Sequence, residues 1–173
     1  MILYHPAGVL NLKSYGILLP LREDRSQKTV FELEKRRGLH IRPFAQKLAP
    51  LTEADLRLAH DSDYLSRLAD QELAVNEVLH TFELFEEQGV PRRYRPELAK
   101  APLGQLIEDV RLQAGMSYEA MKIALQKGFA YYLGGGMHHA MSTAGRGFCL
   151  FNDIVIGIRK LQQAGEIRRA WVI

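Results

Sequence analysis

Apolar positions follow two rhythms along this chain. In the first half they recur at helical spacing between polar stretches. Ile2–Tyr4 reads as a short strand, and residues 20–28 (Pro-Leu-Arg-Glu-Asp-Arg-Ser-Gln-Lys) as a polar loop. Thr52, with Asp55 three residues on, is an N-cap signal and predicts a short helix. Asp61 caps the next, whose apolar positions are Tyr64, Leu65 and Leu68. A third helix is predicted over residues 71–88, with Leu73, Val78, Leu79, Phe82 and Phe85 on one side and Gly89 and Pro91 as its stop.

In the second half, short apolar runs alternate with helical patterns. Ser117 can cap a helix carrying Ala120, Ile123, Ala124 and Lys127, closed by Gly128. Phe129–Leu133 then has the length and composition of a buried strand. Three glycines and a loop lead to Phe151. Asn152 or Asp153 caps a further helix with Ile154, Val155, Ile158 and Leu161 at helical spacing, ended by Gly165. Ala170–Ile173 reads as the next buried strand, with Trp171 in the core. Strand, helix, strand with a crossover of this length implies a parallel sheet in an open α/β layer. In such sheets ligands bind outside the carboxyl ends of the strands, which draws attention to the loop after Leu133.

Composition narrows the class. The chain has 173 residues, 47% hydrophobic and 25% charged, enough for one folded unit with a sizeable core. No repeat or linker divides it. No apolar run approaches the roughly 18–20 residues of a membrane span, and the first residues lack the basic and apolar regions of a secretory signal. The single cysteine, Cys149, excludes an internal disulfide framework and a CxxC zinc ribbon, which fits a reducing, cytoplasmic setting. Twenty-three basic residues against 20 acidic ones leave a charge of +3, too balanced and too interspersed for a nucleic-acid stripe.

The candidate chemistry lies in Gly134-Gly135-Gly136-Met137-His138-His139-Ala140 and in Gly145-Arg146-Gly147-Phe148-Cys149-Leu150-Phe151-Asn152-Asp153. Glycines after a strand allow a sharp turn and close approach of backbone to a ligand. Two adjacent histidines place two imidazoles there, each able to act as a general base near neutral pH or as a metal ligand. The glycines flanking Phe148 allow a second close turn that sets an aromatic ring at a pocket mouth. A phosphate-binding loop is a poor reading, since there is no GxxxxGK[ST] and a helix does not follow the glycines directly. A thiol enzyme built on Cys149 lacks any sign of an activated thiol, and a small apolar role suits that residue better. Two histidines and Asp153, which is more useful as a helix cap, fall short of a catalytic zinc site.

The stretch GGGMHHAMSTAGRGFCLFND resembles the signature of the histone deacetylase family, which includes bacterial deacetylases, acetoin-utilisation proteins and acetylpolyamine amidohydrolases. Ala59-His60-Asp61-Ser62-Asp63-Tyr64-Leu65 resembles that family's His-x-x-x-Tyr-Leu helix start, and Ala114-Gly115-Met116 also fits. The resemblance is closest to bacterial and class IV-like members and strongest from Gly115 onward. It implies an open parallel-sheet, three-layer arginase/deacetylase-like α/β fold. It also implies zinc-dependent hydrolysis of acetyl-lysine or a related acetylated amine, without nucleic acid or membrane as partner. On this resemblance His138 is the first of the tandem pair, held by a buried carboxylate and stabilising charge. His139 is the general base on the attacking water. Gly147 and Phe148 line the acyl-lysine tunnel, Gly136 and Cys149 sit near its inner end, and Asn152 and Asp153 are structural. Zinc, in the family, polarises the amide carbonyl and acidifies water.

The same resemblance sets a boundary. The family's metal ligands follow the strand matching Ala170–Ile173 in an Asp-x-Asp/His motif, with a further aspartate and a tyrosine later, and the carboxylates orienting the histidines are likewise outside these residues. The chain therefore reads as the N-terminal part of one deacetylase domain, incomplete at its C-terminus. It has no metal ligand set of its own, is inactive alone, and leaves a sheet edge open to self-association. Two alternatives remain: a non-catalytic half-domain that binds acyl-lysine or is completed by a partner, and a fragment without independent function. His60 is expected to pack or cap rather than react. Arg22 and Arg25 could match a family arginine near the inner pocket, and Arg92, Arg93 and Arg95 read as a solvated loop.

Overall fold

The structure is a computed structural model and describes residues 1–20, 22, 24–39, 41, 48–86 and 88–173. Strand β1 (Ile2–Leu3) pairs in parallel with β2 (Tyr131–Tyr132), Ile2 opposite Tyr131 and Leu3 opposite Tyr132. The Tyr131 N–H donates to the Met1 carbonyl at 2.8 Å and the Leu133 N–H to the Leu3 carbonyl at 2.9 Å. The chain has a parallel pair flanked by helices, so the α/β class holds, but the pair joins β1 to β2 and not, as the sequence predicts, the two strands of the second half. The polypeptide leaves β2 at its carboxyl end directly into Gly134–Gly136.

Helix starts follow the capping residues seen in the sequence. The Thr52 side chain accepts from Asp55 N–H and the Asp55 side chain returns to Thr52 N–H, a capping box that opens α2 (Glu53–Leu56). Asp61 accepts from Tyr64 N–H at 2.8 Å and opens α3 (Ser62–Ala69), which buries Tyr64, Leu65 and Leu68 as predicted. Asp70 caps α4 (Gln71–Thr81). These faces meet Ile17, Val110, Ala114, Phe151 and Ile156 in one core.

Several expectations are corrected. The polar stretch 20–28 is a loop only at its start: α1 spans Arg25–Arg37, with Asp24 at its N-cap and a 2.7 Å pair from Asp24 to Lys28 one turn on. Leu21 and Glu23 lie outside the described residues. Helix α4 stops at Thr81 rather than Gln88, because Phe82 leaves helical geometry and Glu83 turns left-handed at φ 52°. Leu84 then turns inward while Leu73 and Phe85 stay exposed. Glu87, inside the predicted helix, lies outside the described residues. Ser117 caps nothing. Helix α5 (Leu106–Lys127) begins eleven residues earlier, after the tight turn Leu103–Gln105, and buries Ser117 in its middle. Gly128 does close it.

The two predicted buried strands of the second half are also shorter or absent. Only Tyr131 and Tyr132 pair, and Phe129 and Tyr131 are 62% and 54% exposed. Ala170–Ile173 forms no strand, and Trp171, expected in the core, is 91% exposed. A strand needs a neighbour to hydrogen-bond, and none of the described residues pairs with this segment. Helix α6 (Asp153–Gln163) packs on α5, burying Ile156 and Leu161 rather than Val155.

Candidate active site

The turn after β2 depends on backbone freedom that only glycine supplies cheaply. Gly135 and Gly136 both have positive φ, 67° and 80°. A Cβ on Gly135 would run into the Ser117 hydroxyl and the Asp153 carboxylate. The glycine thus lets the loop close down on that carboxylate. Asp153 is 1% exposed. Its Oδ2 accepts from Gly136 N–H at 2.9 Å and from the Ser117 hydroxyl, and its Oδ1 accepts from Met137 N–H at 2.7 Å. Asp153 therefore does not cap α6 at the surface; it points into the loop. The cap is Asn152, whose Oδ1 accepts from Val155 N–H.

This turn throws His138 and His139 outward. Both are exposed, and their ring centroids lie 4.1 Å apart at 42°. His138 Nδ1 sits 2.9 Å from the Gly136 carbonyl. A carbonyl only accepts, so Nδ1 carries the proton and Nε2 of the neutral ring presents its lone pair. Gly147 fits against the other imidazole: a Cβ there would stand 3.0 Å from His139 Cγ.

The second turn is built from Arg146 and Cys149, which exchange two backbone hydrogen bonds across Gly147 and Phe148. Gly147 and Phe148 have φ 54° and 67°, the left-handed pair that a type I′ turn requires. For phenylalanine that conformation costs about 1–2 kcal/mol. It is held by the Phe148 N–H to Thr81 carbonyl bond at 3.0 Å and by ring contact with Phe82 at 6.2 Å. Phe148 is half-buried, as expected of a ring at a pocket mouth.

A cavity of about 200 Å³ lies under these turns. Gly136, Phe148 and Cys149 line it, with Phe82, Leu133, Arg22, Arg25 and Ser26. Three of the expected substrate-binding residues thus meet at one cavity. Gly147 meets His139 instead, and neither histidine is among the described lining residues. Burial pushes the Cys149 thiol pKa up, which disfavours a thiolate there and fits the small apolar role. Among the described residues no three His, Cys, Asp or Glu side chains converge on a metal position.

His60 packs, as expected, but its contact matters to the site. It is 4% exposed between the rings of Tyr64 and Phe151. Its Nε2 accepts from the Asn152 N–H at 3.1 Å, so the neutral ring carries its proton on Nδ1. Burial lowers its pKa, opposed by the Met141 and Ser142 backbone beside the ring. Those groups do not reach hydrogen-bonding geometry, and Nδ1 has no partner among the described residues. Two roles at the site escape the sequence pattern: Ser117 as a buried donor, and Asp153 as an anchor rather than a cap. Only the short spacing from Gly136 to Asp153 hints at the second contact.

A family model described as the histone deacetylase domain matches residues 19–173. Histone deacetylase 2 of Arabidopsis thaliana is 44% identical over 63 residues, which is 36% of this chain and 16% of that protein. An uncharacterized protein of a Picosynechococcus strain is 40% identical over 52 residues, 30% of this chain and 17% of that one. The crystal structure of the HDA15 HD domain superposes with a TM-score of 0.55 at 18% identity, covering 95% of this chain and 43% of that domain. The chain thus spans less than half the length of these relatives.

Proposed function

Because the chain belongs to the histone deacetylase family, we propose that it supplies the histidine and tunnel part of a deacetylase acting on acetylated lysine or a small acetylated amine. The observation that carries this reading is the exposed His138–His139 pair at the carboxyl end of β2, its ring centroids 4.1 Å apart and His138 Nδ1 held on the Gly136 carbonyl. His139 takes the proton from the attacking water and returns it to the departing amine, and His138 stabilises the charge that develops beside it. Phe148, held in its left-handed turn, packs on the methylenes of the acylated side chain, and Gly136 and Cys149 bound the inner end.

The family is a zinc family. The described residues do not fit a zinc site by themselves. Acetylated lysine peptides and N-acetylated polyamines are the substrates to assay, using polypeptide that carries this chain with the remainder of the deacetylase domain. His139→Ala is expected to lower turnover there by about 10²- to 10⁴-fold, the usual worth of a general base. Turnover that survives this substitution removes the base role.

A second reading is favoured by one further observation: Leu125, Phe129, Tyr131, Trp171 and Val172 are all exposed. On that reading another polypeptide completes the sheet, and the chain runs as an assembly in light scattering. A monodisperse monomer counts against it.

A further inference from the structure

Helix α4 breaks two local rules at one residue. Its closing turn bonds Leu84 N–H to the Leu79 carbonyl at 3.0 Å and Glu83 N–H to the His80 carbonyl at 3.1 Å. Glu83, at φ 52°, takes the left-handed position of that turn. Glycine is preferred there because it has no Cβ to clash. Helix α6 ends in the same turn, with Glu166 N–H on the Leu161 carbonyl, Gly165 N–H on the Gln162 carbonyl and Gly165 at φ 73°. Gly38 and Gly128 close α1 and α5 in the same conformation. Among the described helices closed by a left-handed residue, α4 alone carries a side chain there. That side chain is a carboxylate, which also opposes the negative end of the helix dipole.

Nothing among the described residues compensates. The Glu83 side chain is exposed, and no hydrogen bond or ion pair from a described residue reaches it. Arg92 lies on the neighbouring segment, its N–H on the Leu84 carbonyl at 2.9 Å, yet it forms no ion pair with Glu83.

The position adjoins the site. Thr81 and Phe82, the two residues before Glu83, hold Phe148. The Thr81 carbonyl accepts the Phe148 N–H at 3.0 Å, and the Phe82 ring lies 6.2 Å from the Phe148 ring. Both rings line the cavity. Glu83 and Phe148 are the two non-glycine residues with positive φ among the described residues, and they sit on segments in contact. Backbone strain of this kind collects where ligands are gripped.

We propose that Glu83 is a specificity-determining residue: its carboxylate, beside the Phe148 turn, takes the ammonium or guanidinium of an acylated amine that carries a second positive charge. The inference rests on the deacetylase reading and names the substrate class within it.

The experiment compares acetyl-lysine peptides that differ in one neighbouring residue, arginine or glutamine, with an N-acetylated polyamine as a second arm. The protein is the polypeptide that carries this chain with the remainder of the deacetylase domain. An exposed ion pair is worth about two- to five-fold, so KM should be lower by that factor for the arginine peptide, with kcat alike. Added salt should shrink the preference. Glu83→Gln keeps the size and the backbone strain but not the charge, and should equalise the two KM values. Glu83→Gly should equalise them as well, and should raise the unfolding midpoint by relieving the left-handed conformation. A KM that Glu83→Gln raises for the peptide alone, or for the polyamine alone, upholds the proposal and identifies the source of the cation. An unchanged KM for both in a folded Glu83→Gln protein overturns it and leaves the deacetylase reading intact. A midpoint that Glu83→Gly leaves unchanged or lowers also overturns it, since Glu83 would then serve the fold. Native polypeptide that hydrolyses none of these substrates removes the deacetylase reading and the proposal with it.

Discussion

On the inner side of the 134–140 loop, Asp153 is 1% exposed and accepts three hydrogen bonds. On the outer side, His138 and His139 are exposed, and among the described residues their rings have one hydrogen bond between them, from His138 to Gly136. The same few residues are therefore over-determined on one face and free on the other. The histidines proposed to move protons stand outward, and Asp153, which anchors the loop, is buried beneath them with its oxygens hydrogen-bonded. Stability and chemistry are separated by a single layer of backbone, so they can be perturbed separately.

The largest effect should come from emptying the inner side. Asp153→Ala leaves two N–H groups and a hydroxyl without their acceptor, a loss on the order of 3–5 kcal/mol, measurable by urea unfolding. A loss under about 1 kcal/mol would mean the carboxylate is not anchoring the loop. Gly135 and Gly136 give a matched pair one residue apart. Gly135→Ala meets both the left-handed φ and the Asp153–Ser117 contact, and should cost about 3 kcal/mol. At Gly136 a Cβ meets nothing, so Gly136→Ala should cost only the backbone term of about 1–2 kcal/mol. Equal losses at the two positions would erase the distinction between inner and outer face.

Acid should weaken the inner side through His60. Its folded pKa lies below its unfolded value, so its neutral form stabilises the fold above the unfolded pKa. That contribution is lost as pH falls through about 6.5 toward the folded value. Protonating Nε2 would set it against the Asn152 N–H. Unfolding free energy followed from about pH 7.5 to pH 5 should fall more steeply in the native chain than in His60→Gln, which keeps an acceptor and does not titrate. Parallel curves would remove His60 from the acid response. The smallest effect belongs to the outer turn. Phe148→Gly relieves the left-handed strain but loses the Phe82 contact, and the two should cancel to within about 1 kcal/mol while affinity for an acylated amine drops. Unchanged affinity would take Phe148 out of the tunnel wall.

Much of the site is legible in the order of residues alone. The glycine run, the histidine pair and the Gly-Phe-Cys turn each announce local backbone behaviour, and the structure places them accordingly. Thr52, Asp61 and Gly128 are equally clear, because a cap is a contact within three or four residues. The true start of the helix at Leu106 is hidden because Ser117 looks like a cap to its neighbours. Only Asp153, 36 residues on, makes it a buried donor instead. The end of α4 is hidden for a related reason. Phe82 and Phe85 continue the helical spacing, but the left-handed turn at Glu83 lets Leu84 enter the core.

Which residues could carry chemistry, and where the chain must turn, follow from residue order, since glycine, proline and cap residues act through their nearest neighbours. Packing alone brings Asp153 to the glycine loop, Asn152 across to Ala140 and His60 Nε2 under the Asn152 N–H. Those contacts join positions 12 to 92 residues apart. Their partners are chosen by how α5 and α6 pack, and no local pattern of residues encodes that choice.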